Sequence, residues 1–208
     1  PEAAEPFAAW QQAASKLGFD VVILSPDEDG PAARVSRGQI AAPYDDPIAL
    51  ARFSEGLGVA TFEFENVPAS TLERLAAHGV AIAPGARALA VAQDRVDEKT
   101  FLNAHGVATV AFEAVDSAQD CVEAVARLGA PALLKTRREG YDGKGQAWIE
   151  RGGDPAAAFE SLGGAPCILE APADFIRELS VIAARGRDGE IALYPIGENH
   201  HENGVLRR

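Results

Sequence analysis

Residues 131–150, PALLKTRREGYDGKGQAWIE, place a glycine-rich segment between two apolar runs. PALLKT and QAWIE each predict a short strand, and REGYDGKGQ between them predicts a hairpin loop. The loop glycines leave backbone N–H groups free to face an anion, and Lys144 with two neighbouring arginines supplies positive charge. The spacing fits neither a Walker loop nor a Rossmann fingerprint. Two interpretations stay open: a solvated surface hairpin, or a flexible cover for nucleotide phosphates.

The first half of the chain alternates helical and strand patterns. Helices are predicted in PFAAWQQAASKL, near DPIALARFSEGL and in VPASTLERLAAHG, and strands in FDVVIL, GVATFEF and VAIAP. Strands that alternate with helices across short turns predict a parallel sheet with helices on its faces. We therefore expect an α/β domain over residues 1–90.

The second half predicts an α+β domain over residues 91–208. One long helix is expected over residues 86–105, followed by a strand near VATVAFEAV and a helix capped by Ser117. After the glycine loop come a helix near DPAAAFESLG, the strand CILE, and two longer strands, RELSVIAARG and EIALYPIG. The dipeptide DG at 188–189 predicts a hairpin between these two strands. The expected fold class is thus α/β followed by α+β.

Composition excludes several classes of partner. The 208 residues are 47% hydrophobic and 24% charged, with a net charge of −12. General attraction to nucleic acid or to an anionic membrane is not expected from such a chain. No apolar run reaches the ~18 residues that span a bilayer. Cys121 and Cys167 are expected to be buried free thiols in a reducing cytoplasm. Because the chain begins with proline and has no methionine, we expect it to be incomplete.

Two charged residues end apolar strands. Lys135 ends PALLKT beside the glycine loop, where its ammonium group either meets a phosphate or simply reaches solvent. Glu170 ends CILE, where the strand edge could offer backbone groups to a purine and the carboxylate could accept from ribose hydroxyls, although Glu170 alone is weak evidence for this.

Other polar residues lie at strand ends. Glu63 and Glu65 are expected on one face of a strand, at the carboxyl end where α/β sheets bind ligands. Glu178 and the segment ENHHENG carry more polarity than strand ends need. His200 and His201 are neighbours in an extended segment and so point to opposite faces. One of the two is expected near a ligand, and no metal site is predicted.

Several segments together resemble the N5-carboxyaminoimidazole ribonucleotide synthase family, the ATP-grasp carboxylases of purine biosynthesis. They are TFEFENVP, AQDRVDEKTFL, LLKTRREGYDGKGQ, CILE, RELSVIAARGRDGE and YPIGENHHENGVLRR. The resemblance implies a Rossmann-like pre-ATP-grasp domain, an ATP-grasp lid over about residues 108–172, and part of the ATP-grasp lobe. The implied reaction joins ATP, bicarbonate and 5-aminoimidazole ribonucleotide through carboxyphosphate. Magnesium, a homodimer and a cytoplasmic location are implied with it.

The resemblance also assigns roles to individual residues. At the phosphates of ATP it implies Arg95 and Lys135. The lid loop would be Gly140, Tyr141, Asp142, Gly143, Lys144, Gly145 and Gln146. The adenine hinge would be Glu170, Ala171, Pro172 and Ala173, with Glu178 at the ribose and His201 completing the pocket. Toward the aminoimidazole ribonucleotide it implies Tyr141 and Lys144, as catalytic residues, with Glu63 or Glu65.

The chain departs from the family pattern at three places. A glycine-rich motif of the type GGGQLG is absent near the start, and CILEAPADF lacks the usual glycine of the hinge. The magnesium ligands and an Asn-Glu pair are expected beyond Arg208. We therefore expect no turnover by these 208 residues alone. Two alternatives remain: a non-catalytic or degenerate ATP-binding fragment, and another ribonucleotide ligase of the same fold.

Overall fold

The computed structural model describes residues 11–28, 30–140, 144–202 and 205–207. The chain divides into two units, residues 1–94 and 95–208. No helix within the described ranges is long and apolar enough to cross a membrane.

The first unit contains parallel strands with helices between them. Strand β1 (Val22–Ser25) pairs with β2 (Gly38–Ala41), and β3 (Val59–Ala60) pairs with β4 (Ala81–Ile82). The helices are α1 (residues 11–16), α2 (Pro47–Ser54), α3 (Ala69–Ala77) and α4 (Ala86–Ala92). Helix α2 begins where it does because the Asp46 carboxylate accepts from two backbone N–H groups of its first turn. Parallel pairing confirms the predicted α/β class of this unit.

One strand of the first unit was not predicted, and another was predicted too long. The segment GQIA forms β2 but was not predicted as a strand, because four residues are too few to show a periodic pattern. Strand β3 ends at Ala60, whereas the pattern predicted a strand through Phe64. Its partner β4 ends at Ile82, and Pro84 has no N–H group with which to continue the ladder. Residues 61–66 therefore lie outside the strands.

The predicted helix over residues 86–105 is two helices, α4 and α5 (Arg95–Ala104). The break is stabilised by bonds to distant residues. The Gln93 side chain donates to the backbone oxygen of Val67, and the Arg95 backbone N–H donates to the Arg137 oxygen at 3.1 Å. A helix that continued through residues 93–95 would bond that N–H within itself. The boundary between the two units falls at this break.

The second unit contains α5 and a four-stranded antiparallel sheet. Its strands are β5 (Phe112–Val115), β6 (Ala132–Thr136), β7 (Gln146–Ile149) and β8 (Cys167–Glu170), in the order β5-β8-β6-β7 across the sheet. Helices α6 (Ala118–Leu128) and α7 (Pro155–Ser161) pack on this sheet around a core that includes Leu134 and Phe159. Ser117 caps α6 as predicted. Cys121 and Cys167 are buried free thiols, and burial raises the pKa of Cys167 to about 11.

The strands that follow β8 form two-stranded sheets. Strands β9 (Glu178–Ser180), β10 (Ala183–Arg185), β11 (Ile191–Leu193) and β12 (Gly197–Asn199) pair as β9–β12 and β10–β11. Strand β13 (His201–Glu202) pairs with β14 (Val205–Leu206). The predicted turn at 188–189 is confirmed, with Gly189 at a φ of 90°.

The two long strands predicted here are each interrupted. Ser180 lies opposite Gly197, and Ala183 lies opposite Leu193, so the second strand carries one extra residue between these pairs. Pro195 lies in that stretch and has no N–H group to donate to the ladder. A β-bulge of this kind disrupts local pairing. The second unit nevertheless has the predicted α+β class with antiparallel pairing.

Candidate nucleotide-binding site

The neck of the glycine loop lies between β6 and β7. The predicted hairpin is confirmed, since these strands are antiparallel with Lys135 opposite Gln146. The Thr136 N–H donates to the Gly145 oxygen at 2.8 Å and closes the neck. A Cβ atom on Gly145 would lie 2.7 Å from Thr136 Oγ1, and its φ is 68°. A Cβ atom on Gly140 would lie 3.0 Å from the Lys144 oxygen. The neck is therefore too narrow for side chains at both positions.

Only the neck of the loop can be compared with the predicted lid. Tyr141, Asp142 and Gly143 lie outside the described residues. Lys144 is exposed, and Gln146 begins β7 with an exposed side chain. Contacts of these residues with a nucleotide stay predictions.

Arg95, at the start of α5, holds this neck through backbone oxygens. Its Nη1 donates to the Thr136 oxygen at 2.9 Å, and its Nη2 donates to the Gly140 oxygen at 2.6 Å. A longer bond of 3.4 Å joins Nη1 to the Arg137 oxygen. A guanidinium group has five N–H donors, so its bonds to the described residues leave donors for a further acceptor. The structure shows one role of Arg95, which is to hold the neck of the loop. The contact between Arg95 and ATP phosphates stays a prediction.

A buried carboxylate lies between two lysines beside the loop. Glu170 is 6% exposed, and its Oε2 accepts from Lys135 Nζ at 2.8 Å. Its Oε1 lies 3.2 Å from Lys99 Nζ. Glu170 is opposite Leu133 in the sheet, so its side chain shares a face with Leu133 and Lys135. Two ammonium groups and one carboxylate give the cluster a net charge of about +1 at neutral pH.

Lys99 was not predicted as a site residue. It lies four positions after Arg95 on α5, and residues with that spacing share a helix face. That spacing is the signal in the sequence that links Lys99 to the site. Its Nζ also lies 6.0 Å from the centroid of the Phe112 ring, on β5. Helix α5 thus brings Arg95 to the loop neck and Lys99 to the Glu170 carboxylate.

The segment CILE is not an edge strand, and the predicted adenine hinge that follows it stays a prediction. Strand β8 is central, and it pairs with β5 on one side and with β6 on the other. The pairing continues past the strand, because the Ala171 N–H donates to the Ala111 oxygen at 2.9 Å. Pro172 has no N–H group. Backbone donors for a purine would therefore have to come from Ala173 or beyond.

Glu178 and His201 come together although 23 positions separate them in the chain. His201 Nδ1 lies 2.8 Å from Glu178 Oε2, and both side chains are partly exposed. The two residues lie on β9 and β13, which belong to different strand pairs. Within the described ranges no three His, Cys, Asp or Glu side chains form a group that could hold a metal ion.

Glu63 and Glu65 are exposed in the first unit, in the segment that follows β3. They do not share a strand face as predicted, because β3 ends before them. The Glu65 backbone oxygen accepts from the Gln93 side chain. A mainly apolar cavity of about 270 Å³ lies nearby and is lined by Phe64 but by neither glutamate. Tyr44 also lines this cavity, and burial raises the pKa of its hydroxyl.

Comparison with known proteins shows the family to which this chain belongs. The ATP-grasp domain model matches residues 100–208, and the ribonucleotide synthetase preATP-grasp domain model matches residues 9–93. The chain belongs to the ATP-grasp family. The loop neck and the Lys99–Glu170–Lys135 cluster of this ATP-grasp chain both lie in its second unit, most of which is matched by the ATP-grasp model.

Named relatives point to one group of ATP-grasp proteins. An N5-carboxyaminoimidazole ribonucleotide synthase from Brucella melitensis is 44% identical over 196 residues, which are 93% of this chain and 54% of that protein. The crystal structure of N5-carboxyaminoimidazole ribonucleotide synthetase from Thermus thermophilus matches with a TM-score of 0.87 and 42% identity. This match covers 97% of this chain and 54% of that one.

A third match carries a nucleotide. The crystal structure of the Staphylococcus aureus N5-carboxyaminoimidazole synthetase complexed with ADP matches with a TM-score of 0.89 and 36% identity. It covers 98% of this chain and 53% of that one. The chain thus spans about half the length of the relatives it matches.

Proposed function

We propose that the intact protein carboxylates 5-aminoimidazole ribonucleotide with bicarbonate, driven by cleavage of ATP, to form N5-carboxyaminoimidazole ribonucleotide, ADP and phosphate. The observation that carries the proposal is the 44% identity to a synthase of that name, which extends over 93% of this chain and so includes both units. The cationic cluster beside a glycine loop supports the proposal, because a chain of net charge −12 needs local positive charge to bind a nucleoside triphosphate.

The proposed chemistry has two steps. A bicarbonate oxygen attacks the γ-phosphorus of ATP, the bond to the bridging oxygen breaks, and ADP leaves, which forms carboxyphosphate. The amine nitrogen of the ribonucleotide then attacks the carboxyl carbon, phosphate leaves, and the nitrogen loses a proton. Because water would destroy carboxyphosphate, a glycine loop that closes over the site protects the intermediate.

Residues of the second unit take the nucleotide roles in this proposal. Lys135 and the remaining donors of Arg95 bind phosphate oxygens, where negative charge develops during transfer. The loop from Gly140 to Gln146 covers the phosphates, the backbone from Glu170 to Ala173 faces the adenine, and Glu178 with His201 binds the ribose. A carboxylate held by a histidine at 2.8 Å is suited to accept from ribose hydroxyl groups.

Tyr141, Lys144 and one of Glu63 and Glu65 are proposed to face the aminoimidazole ribonucleotide. We also propose magnesium as the phosphate counter-ion, a homodimer, and a cytoplasmic location. The described residues contain no group of three metal-ligating side chains, so the steps above use only the cations of the chain itself.

Phosphate release by the intact gene product tests the proposal. We expect release from ATP to require both the ribonucleotide and bicarbonate, and to be lost in Lys135→Met but retained in the exposed control Lys16→Met. Phosphate release that does not depend on the ribonucleotide would contradict the proposal that the ribonucleotide is the substrate. ATP binding without any release would instead support a non-catalytic nucleotide-binding protein.

A further inference from the structure

We infer that Lys99 is a positioning residue for the nucleotide site: it neutralises Glu170 so that the charge of Lys135 stays available to phosphates. The inference rests on the proposed nucleotide-binding function and deepens it. It gives a role to a residue whose partners among the described residues are Glu170 and the Phe112 ring.

Each oxygen of the Glu170 carboxylate contacts a different ammonium group. Oε2 accepts from Lys135 Nζ at 2.8 Å, and Oε1 lies 3.2 Å from Lys99 Nζ. Each oxygen thus has its own cation, and the three groups come from β6, β8 and α5. A carboxylate held at both oxygens has a fixed orientation, and it fixes in turn the lysine that shares it.

Burial makes the second cation necessary. Glu170 is 6% exposed, and a buried charge is costly unless it is paired. If Lys135 were the sole partner, the carboxylate would hold the Lys135 ammonium and cancel its charge. With Lys99 present the cluster keeps a net charge of about +1 at neutral pH. That excess charge is what an incoming phosphate meets.

The surroundings of Lys99 distinguish it from a direct ligand. Its side chain is 18% exposed, against 28% for Lys135, so Lys135 is the more accessible of the two. Its Nζ lies 6.0 Å from the Phe112 ring centroid, within reach of a cation–π contact. The Lys99 ammonium is therefore held between a carboxylate and a ring, whereas Lys135 lies beside the neck of the glycine loop.

Calorimetric binding of ATP and of adenosine to the intact protein tests the inference. We expect Lys99→Met to weaken ATP binding about tenfold, because Glu170 would then have Lys135 as its sole partner and would hold its ammonium group away from the phosphates, and to leave adenosine binding unchanged. Lys99→Arg should restore most of the ATP affinity. A matched control is Arg127→Met, which removes a cation from the exposed pair with Glu113 in the same unit. It should leave ATP binding unchanged.

A double-mutant cycle with Glu170→Gln decides whether Lys99 acts through Glu170. If it does, Lys99→Met should change ATP affinity by less than about twofold in the Glu170→Gln background, because the charge to be neutralised is gone. A tenfold loss that persists in that background would show direct contact with the nucleotide and overturn the positioning role. Equal losses for ATP and adenosine would also overturn it, because they would indicate a general structural defect.

The proposed function and this inference fail in different ways. Wild-type protein that does not bind ATP would overturn the nucleotide site itself, and the inference with it. Wild-type protein that binds ATP, with Lys99→Met binding it equally well, would overturn the inference alone. Thermal unfolding of each variant separates loss of binding from loss of fold, and Lys99→Gln, which also removes the charge, keeps the test decisive if Lys99→Met does not fold.

Discussion

Replacement of Gly145 by alanine is expected to destabilise the protein through two separable effects. The first is backbone strain, because Gly145 has a φ of 68°, a region that costs a residue with a Cβ atom about 1–2 kcal/mol. The second is a clash, because the new Cβ would lie 2.7 Å from Thr136 Oγ1. To relieve it, Thr136 must leave its rotamer, at about 0.5–1.5 kcal/mol. Together the free energy of unfolding should fall by roughly 2–3 kcal/mol.

A matched glycine isolates the clash from the strain. Gly152 has a φ of 80°, and a Cβ atom added to it would have no neighbouring atom within 4 Å, so Gly152→Ala should cost only the strain. Urea unfolding of Gly145→Ala, Gly152→Ala and wild type gives the comparison. In a Thr136→Ala background the excess cost of Gly145→Ala should disappear, since Oγ1 is absent. If Gly145→Ala costs no more than Gly152→Ala, or costs the same in both backgrounds, the steric argument for the narrow neck is wrong.

Three further predictions follow from single contacts. Lys135→Ala should abolish ATP binding by calorimetry in the intact protein, and unchanged affinity would contradict its phosphate role. Asp46→Ala should lower the free energy of unfolding by about 1 kcal/mol, because α2 loses its cap, as thermal unfolding would show. The pKa of Cys167 is raised from 9.0 to about 11, so its protonated thiol stabilises the fold below pH 9, and that contribution should fall as pH rises toward 11. Unfolding measured from pH 8 to 11 with Cys167→Ala as control checks it.

Local signals in the sequence were sufficient to predict those elements whose stabilising contacts are also local in the sequence. Ser117 accepts from the backbone N–H of Asp120, three residues later, and Gly189 closes a turn within its own hairpin. Such contacts depend on neighbours that a sequence pattern contains. The fold class and the hairpin around the glycine loop were predicted for the same reason.

Elements that depend on distant partners were missed. Strand β2 exists because Gly38 to Ala41 pair with β1, and four residues show no period of their own. The break between α4 and α5 depends on Val67 and Arg137, which lie 26 and 42 positions from their partners. The central position of β8 in its sheet could not be predicted from a local pattern either, because the sequence CILE is compatible with an edge strand and with a central strand.

Helix α5 brings two of its own cations to one site. Arg95 and Lys99 lie one turn apart, so one face of this helix meets the glycine-loop neck at one position and the Glu170 carboxylate at the next. Glu170 in turn holds Lys135 at the end of β6, just before the neck begins. The neck, the Glu170 carboxylate and Lys135 are therefore tied to one helix. Preorganisation of this kind is what makes fixed cations effective for phosphoryl transfer, and it would account for a buried glutamate in the proposed phosphate site.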